Sequence, residues 1–253
     1  MHEQRSTRIF ERITSPSRVI ARIGLILVST DEMGGDAFIS IMPKDKVAVF
    51  QTRAAYDYRE GIFSIRTSFK EVADTLPPVG RLDLLAFSCS SWTVAMGAEN
   101  VLSQLKEARP GIKYTSPAHA GIAALRQLNA RRIALLSPYE LALHRLLPPF
   151  LSGNGFEITA DGTFATSSGT ENNELRPEII FTAAKELVRH NSPDALFMSC
   201  TAMPIVAYID ALEREIGIPV ISSTQAMAWD ALRLSGYDLP IDGFGRLLAS
   251  PRR

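Results

Sequence analysis

The feature that most constrains this chain is that it is written twice. The first half carries Arg22-Ile-Gly-Leu-Ile-Leu-Val-Ser29 and the second Arg132-Ile-Ala-Leu-Leu-Ser137. Leu82-Asp-Leu-Leu-Ala-Phe-Ser-Cys-Ser90 is answered by Pro193-Asp-Ala-Leu-Phe-Met-Ser-Cys-Thr201. Ile112-Lys-Tyr-Thr-Ser-Pro-Ala-His-Ala120 is answered by Ile218-Pro-Val-Ile-Ser-Ser-Thr-Gln-Ala226. Three collinear pairs at offsets of about 105 to 111 positions mark an internal duplication.

Each matched run is short, apolar and closed by small polar residues, as a strand buried on both faces should be. Helical stretches lie between the runs, among them Val94 to Ala108 and Ile205 to Ile216. Strands alternating with helices of this length imply βαβ units and parallel sheets. The fold class is therefore α/β: two pseudo-twofold-related Rossmann-like units with parallel sheets and an active-site cleft between them. Residues 1–19 read as a polar N-terminal tail, residues 20–115 as the first unit and residues 116–223 as the second. The C-terminal segment 224–253 is expected to pack back on the first unit. Right-handed crossovers put every strand's carboxyl end on one edge, where open α/β sheets bind ligands. That edge would bring Ser29, Thr30, Cys89 and Ser90 to face Tyr139, Cys200 and Thr201.

Composition removes several classes of function. Lys+Arg and Asp+Glu balance at 27 each, so no overall field favours nucleic acid or an anionic membrane. No run approaches the roughly 18 apolar residues of a membrane span. The first twenty residues lack the apolar centre of a secretory signal, so the expected location is cytoplasmic. His2, His119, His144 and His190 are scattered, and the two cysteines have no ligand spacing, so no metal is expected. No glycine-rich phosphate loop appears, and no cofactor is expected.

The two cysteines carry the chemistry. Each closes an apolar run, each stands six residues after an Asp (Asp83 and Asp194), and each is flanked by hydroxyl residues. A helix start is expected after each, whose free N–H groups would lower the thiol pKa towards neutrality. One thiolate and one opposing thiol can move a proton next to a carboxylate, or add to an alkene and release it. Ser90, Ser91 and Thr201 are the natural donors for the carboxylate charge.

With these residues in place, the chain resembles the aspartate/glutamate racemase superfamily. The likeness is nearest its branch of maleate cis-trans isomerases and arylmalonate decarboxylases, which includes an ectoine-utilisation relative. It rests on Ile-Gly-Leu-Ile, Phe-Ser-Cys-Ser, Leu-Leu-Ser-Pro-Tyr, Met-Ser-Cys-Thr and Ser-Ser-Thr-Gln-Ala in that order, over residues 20–235. The resemblance implies Cys89 as nucleophile or base, Cys200 as the opposing acid or base, and Tyr139 as a carboxylate holder. It also implies a loop asparagine, Asn173, with Asn172 as the competing choice, and a homo-oligomer, dimer or tetramer. Decarboxylases of this branch keep only the second cysteine, so a chain with both looks more like an isomerase or racemase. Where the isomerases carry an asparagine after the first strand, this chain has Asp31. An ionised Asp31 in the pocket would repel a dicarboxylate, so either Asp31 points away, or it binds a cationic group, or the substrate is not a simple dicarboxylate; a nitrogen-bearing compound would suit it better.

The expected function is a cofactor-independent two-cysteine isomerase acting on a small carboxylate. A decarboxylase is the alternative within enzymes, and a non-catalytic carboxylate-binding protein the alternative outside them. His119 reads as a helix cap, His144 and His190 as inert residues on solvated faces, and Trp229 as core. Trp92 fits core or cleft wall equally. Arg53, Arg59 and Arg66 read as a solvated surface, and residues 165–173 as a long polar loop.

Overall fold

The computed structural model describes residues 8, 10, 18–59, 62–78 and 80–250. Almost all of the charged segment 1–19 falls outside them. The first copy runs β1 (Ala21–Val28), α1 (Gly34–Ile41), β2 (Val47–Ala54), β3 (Tyr56–Arg59), β4 (Ile62–Ile65), α2 (Phe69–Ala73) and β5 (Leu84–Ser88). It continues through α3 (Ser90–Met96), α4 (Ala98–Ala108), β6 (Lys113–Thr115) and α5 (Pro117–Gln127). The second copy begins with β7 (Arg132–Tyr139), α6 (Leu141–His144), α7 (Leu147–Gly153), β8 (Glu157–Thr166), α8 (Gly169–Asn173) and α9 (Pro177–Arg189). It continues through β9 (Ala195–Met198), α10 (Ile209–Ile216), β10 (Val220–Ser222) and α11 (Ser223–Leu234), with a short α12 (Arg246–Ala249) beyond.

Two four-stranded parallel sheets result, ordered β2-β1-β5-β6 and β8-β7-β9-β10. The orders are the same once the copies are superposed, which is the structural form of the sequence repeat. The repeated Asp explains why the repeat delivers a Cys to the same place twice. Asp83 Oδ2 accepts the Arg22 N–H at 2.7 Å, and Asp194 Oδ2 accepts the N–H groups of Arg131 and Arg132, each at 2.8 Å. Each Asp thus pins the entry of a central strand, and a buried strand of fixed rise carries the Cys to the carboxyl edge.

The last helix of each copy serves the other sheet. Helix α5 follows β6 of the first sheet but lies against β9, where a Cβ at Gly121 would sit 2.8 Å from the Phe197 ring. Helix α11 follows β10 of the second sheet and packs on α1, β5 and β6. Asp230 of α11 accepts the Thr115 hydroxyl of β6 at 2.6 Å. The two helices also pack against each other, so one apolar core runs from Leu25 and Leu84 to Ile133 and Leu196.

Three local expectations are corrected. The helix expected over Val94–Ala108 is broken at Gly97, whose φ of +86° no other residue type adopts cheaply. No helix starts after Cys200; bends and turns follow until a 3₁₀ turn at Val206–Tyr208. Pro204 accounts for this, since it disfavours helical backbone at Met203 and has no N–H to donate. The polar stretch 165–173 is not a long loop but the end of β8 and the short helix α8.

Candidate active site

The carboxyl edges of both sheets meet around a cavity of about 200 Å³, below the roughly 300–1,000 Å³ typical of drug-sized ligand sites. Cys89 and Cys200 both line it, with Thr30, Asp31, Ser90, Ser91, Tyr139 and Thr201. Helix α8 closes the side, and a Cβ at Gly169 would come within 3.0 Å of Thr30.

Cys89 is the N-cap of α3, with extended backbone at φ −156°. Its Sγ lies 3.6 Å from Ser91 Oγ, and its carbonyl accepts the Thr93 hydroxyl at 2.6 Å. Both thiols are free and buried. The expectation that their surroundings lower the thiol pKa is overturned. Burial pushes Cys89 up to about 11, against the opposing pull of the Ser91 hydroxyl and the Trp92 N–H. Burial pushes Cys200 up to about 12; the Ala202 N–H and the Tyr139 hydroxyl pull the other way. Asp31 raises both thiols further through its charge. Tyr139, 5% exposed, is itself raised well above the usual phenol range, first by burial and then by the neighbouring thiols.

Asp31 is 1% exposed, and its Oδ1 accepts the N–H groups of Gly34 at 2.6 Å and Met33 at 3.2 Å. Burial raises its pKa, opposed by those N–H groups, by the Thr201 hydroxyl and by the Arg53 charge. Arg53, expected to be merely solvated, donates to the carbonyls of Val28 (3.2 Å) and Asp31 (2.6 Å) and so braces the turn after β1. The side chain of Arg59 lies outside the described residues.

Two expected site residues are elsewhere. Ser29 is turned away from the cavity; its hydroxyl exchanges hydrogen bonds with the backbone of Tyr56, tying β1 to β3. Asn173 points back into α8, donating to Gly169 O at 2.9 Å and more weakly to Thr30 O at 3.4 Å. The competing choice, Asn172, lines the cavity and accepts the Thr166 hydroxyl. One helical residue step reverses which asparagine faces inward, and a helix of five residues is too short for its pattern to set that register. Ser90 reaches the cavity, but its hydroxyl donates to Ser223 Oγ at 2.8 Å, leaving the backbone and Ser91 better placed for a ligand. Tyr56 and Glu140 also line the cavity and were not anticipated.

Among the histidines, His119 meets the Ser116 hydroxyl at the start of α5 (3.0 Å), opposite a Gln225–Ser222 capping box at the start of α11. It does not line the cavity that holds the cysteines. His144 is not on a solvated face: it is 2% exposed and bridges Ser137 Oγ (2.8 Å) and Asp161 (2.9 Å). Ser137 is fully buried within β7, so this trio joins β7 to β8 and offers no accessible nucleophile. Trp92 is half-buried against Tyr56 (ring centroids 6.4 Å apart), off the cavity, and Trp229 is core.

The family model for arylmalonate decarboxylase matches residues 70–248, a span that holds both cysteines and the whole second copy from β7 to α11. The chain belongs to the arylmalonate decarboxylase family. Within that family's neighbourhood, it is 29% identical to a maleate isomerase of Nocardia farcinica over 90% of this chain and 96% of the relative. It is 32% identical to the arylmalonate decarboxylase of Bordetella bronchiseptica, over 54% of this chain and 58% of that one. The Nocardia farcinica maleate cis-trans isomerase, solved as a cysteine-to-serine mutant with a covalent succinylcysteine intermediate, superposes with a TM-score of 0.79 at 26% identity. That superposition covers 90% of this chain and 98% of the other. The family membership confirms the resemblance read from the motifs. It places the chain among enzymes whose named members are isomerases and decarboxylases. Among the described residues no helix is long and apolar enough to cross a membrane.

Proposed function

We propose that this chain is a cofactor-independent cysteine isomerase acting on a small carboxylate. The observation that carries the reading is that Cys89 and Cys200, both buried and delivered by the same register in two copies, line one small cavity. A covalent succinylcysteine on a related isomerase supports addition of a thiolate to a carbon–carbon double bond.

In the reactive form Cys89 is the thiolate and Cys200 the thiol. Cys89 is the less strongly raised of the two, and the N–H groups of α3 stabilise its anion. Its sulfur bonds to one alkene carbon while the π electron pair takes the Cys200 proton at the other. The former double bond is now single and rotates. Cys200 then withdraws a proton from that second carbon, the π bond re-forms and Cys89 leaves. Atoms and charge balance without an external reactant. The Ser91 hydroxyl and the Thr201 and Tyr139 hydroxyls hold the carboxylate on which charge accumulates during addition. Free thiols suit a reducing cytoplasm, where we place the enzyme. A dimer or tetramer is the proposed assembly, on family resemblance alone.

The test is turnover of a panel of cis-alkene carboxylates by wild type, Cys89→Ala and Cys200→Ala, with folding checked by melting. Loss of product in each single variant at an unchanged melting temperature is expected. Substantial turnover by both variants sinks the reading. Release of carbon dioxide from a malonate-type substrate that survives Cys89→Ala would move the assignment to the decarboxylase alternative.

A further inference from the structure

The motif Ser-Ser-Thr-Gln-Ala, which leads into α11, carries two hydroxyls that the proposed reaction leaves unused. Ser223 and Thr224 are 0% and 1% exposed, and neither lines the cavity. Each is tied to a different cysteine loop. Ser223 Oγ accepts the hydroxyl of Ser90, the residue after Cys89, at 2.8 Å. Thr224 donates its hydroxyl to the carbonyl of Thr201, the residue after Cys200, at 3.0 Å. Consecutive residues of a helix point about 100° apart, so one turn can reach two loops at once. That turn is itself fixed: Ser222 and Gln225 form a capping box, and Gln225 Nε2 donates to Phe244 O at 2.6 Å.

The duplication supplies this tie once. At the matching positions α5 carries Pro117 and Ala118, which offer no hydroxyl. The two cysteine loops also differ in what they need. Cys89 caps α3, and its carbonyl accepts the Thr93 hydroxyl of that helix. No helix follows Cys200 to supply an N–H to the Thr201 carbonyl, and a buried carbonyl without a partner is costly. Thr224 fills that place.

We propose that Ser223 and Thr224 are positioning residues that set the spacing of the two sulfurs across the cavity. Attack at one alkene carbon and proton delivery at its neighbour need both sulfurs within about 3–3.5 Å of adjacent atoms, and a misplacement of about 1 Å costs about 100-fold in rate. The two thiols stand on different sheets, and the first turn of α11 bonds to both loops. This deepens the isomerase reading and rests on it for the reaction; the bracing of the loops does not depend on it.

Site-resolved alkylation and steady-state kinetics test the two halves separately. Cys89 and Cys200 are 5% and 6% exposed, so iodoacetamide reaches them through local opening of their loops. In Thr224→Val, Cys200 is expected to label at alkaline pH about fivefold or more faster than in wild type, the effect of losing one buried hydrogen bond, while Cys89 keeps its rate. In Ser223→Ala the pattern is reversed: Cys89 speeds up and Cys200 does not. Thr224→Ser, which retains the hydroxyl, should label as wild type does. On a cis-alkene carboxylate that wild type turns over, Thr224→Val and Ser223→Ala are expected to lose about tenfold or more in kcat with KM within about twofold, and Thr224→Ser to recover it. Acceleration of both thiols together, or of neither, overturns the proposal, as does a Thr224→Ser that behaves like Thr224→Val. So does an unchanged kcat in a variant whose labelling has shifted. The two variants make opposite predictions about the same pair of thiols, so either suffices if the other fails to fold. A wild type without turnover on the alkene panel would strike the isomerase reading, and the labelling pattern would still decide the bracing role.

Discussion

Cys89 and Cys200 are delivered to one cavity by the same register, yet their surroundings differ. Cys89 caps a helix whose N–H groups face the sulfur; Cys200 opens a run of turns and leans on the Tyr139 hydroxyl. Both are held as neutral thiols in the unliganded protein, so their reactivity should be latent. Alkylation by iodoacetamide, assigned site by site by mass spectrometry, is expected to be slow at neutral pH. It should accelerate towards pH about 11, with Cys89 ahead of Cys200. Rapid labelling of either below neutrality would show that the burial argument is wrong. That Cys89, Cys200, Asp31 and Tyr139 meet at one cavity was legible because residues at strand ends inherit their position from the strand. Asn172 and His144 were not. Asn172 depends on the phase of a helix of five residues, and His144 is buried by packing between β7 and β8 that no local pattern announces.

At the scale of elements, the strands were readable because each is buried on both faces and must be apolar throughout. The breaks were less so: Gly97 divides one expected helix, and Pro204 removes another. Two variants probe how the elements are joined. Gly121→Ala puts a methyl 2.8 Å from the Phe197 ring where α5 meets β9, and overpacking of this kind costs about 1–3 kcal/mol. His144→Ala removes the partner of a fully buried Ser137 hydroxyl, for a cost of about 1–3 kcal/mol. Urea denaturation checks both; midpoints indistinguishable from wild type would mean that these joints give way without cost.

At the scale of the molecule, the exchange of α5 and α11 means that neither sheet completes its core from its own copy. Unfolding should therefore be one transition. Trp92→Phe and Trp229→Phe each leave one tryptophan as a reporter, on α11 and α3 respectively, and the two melting curves are expected to coincide. Separated midpoints would reveal independent halves. The buried thiols add a pH dependence. Their folded pKa values lie above the unfolded value of about 8.5, so the stability they contribute is complete below that pH. It is lost as pH rises towards about 11 and about 12. The loss is at most about 1.4 kcal/mol per pH unit for each thiol. Wild type should lose more stability between neutral and alkaline pH than a variant with both cysteines replaced by alanine, a difference that urea midpoints would register.

The hairpin of β3 and β4 has no counterpart in the second copy, and Cys89 has a helix behind it where Cys200 has none. Two identical half-chains meeting on a true twofold axis would offer a ligand interchangeable ends and interchangeable thiols, and would bind it equally well in either direction. Joining the copies in one chain lifts that obligation. One wall can specialise in attack and the other in proton delivery, and a molecule with unlike ends acquires a head and a tail inside the cavity.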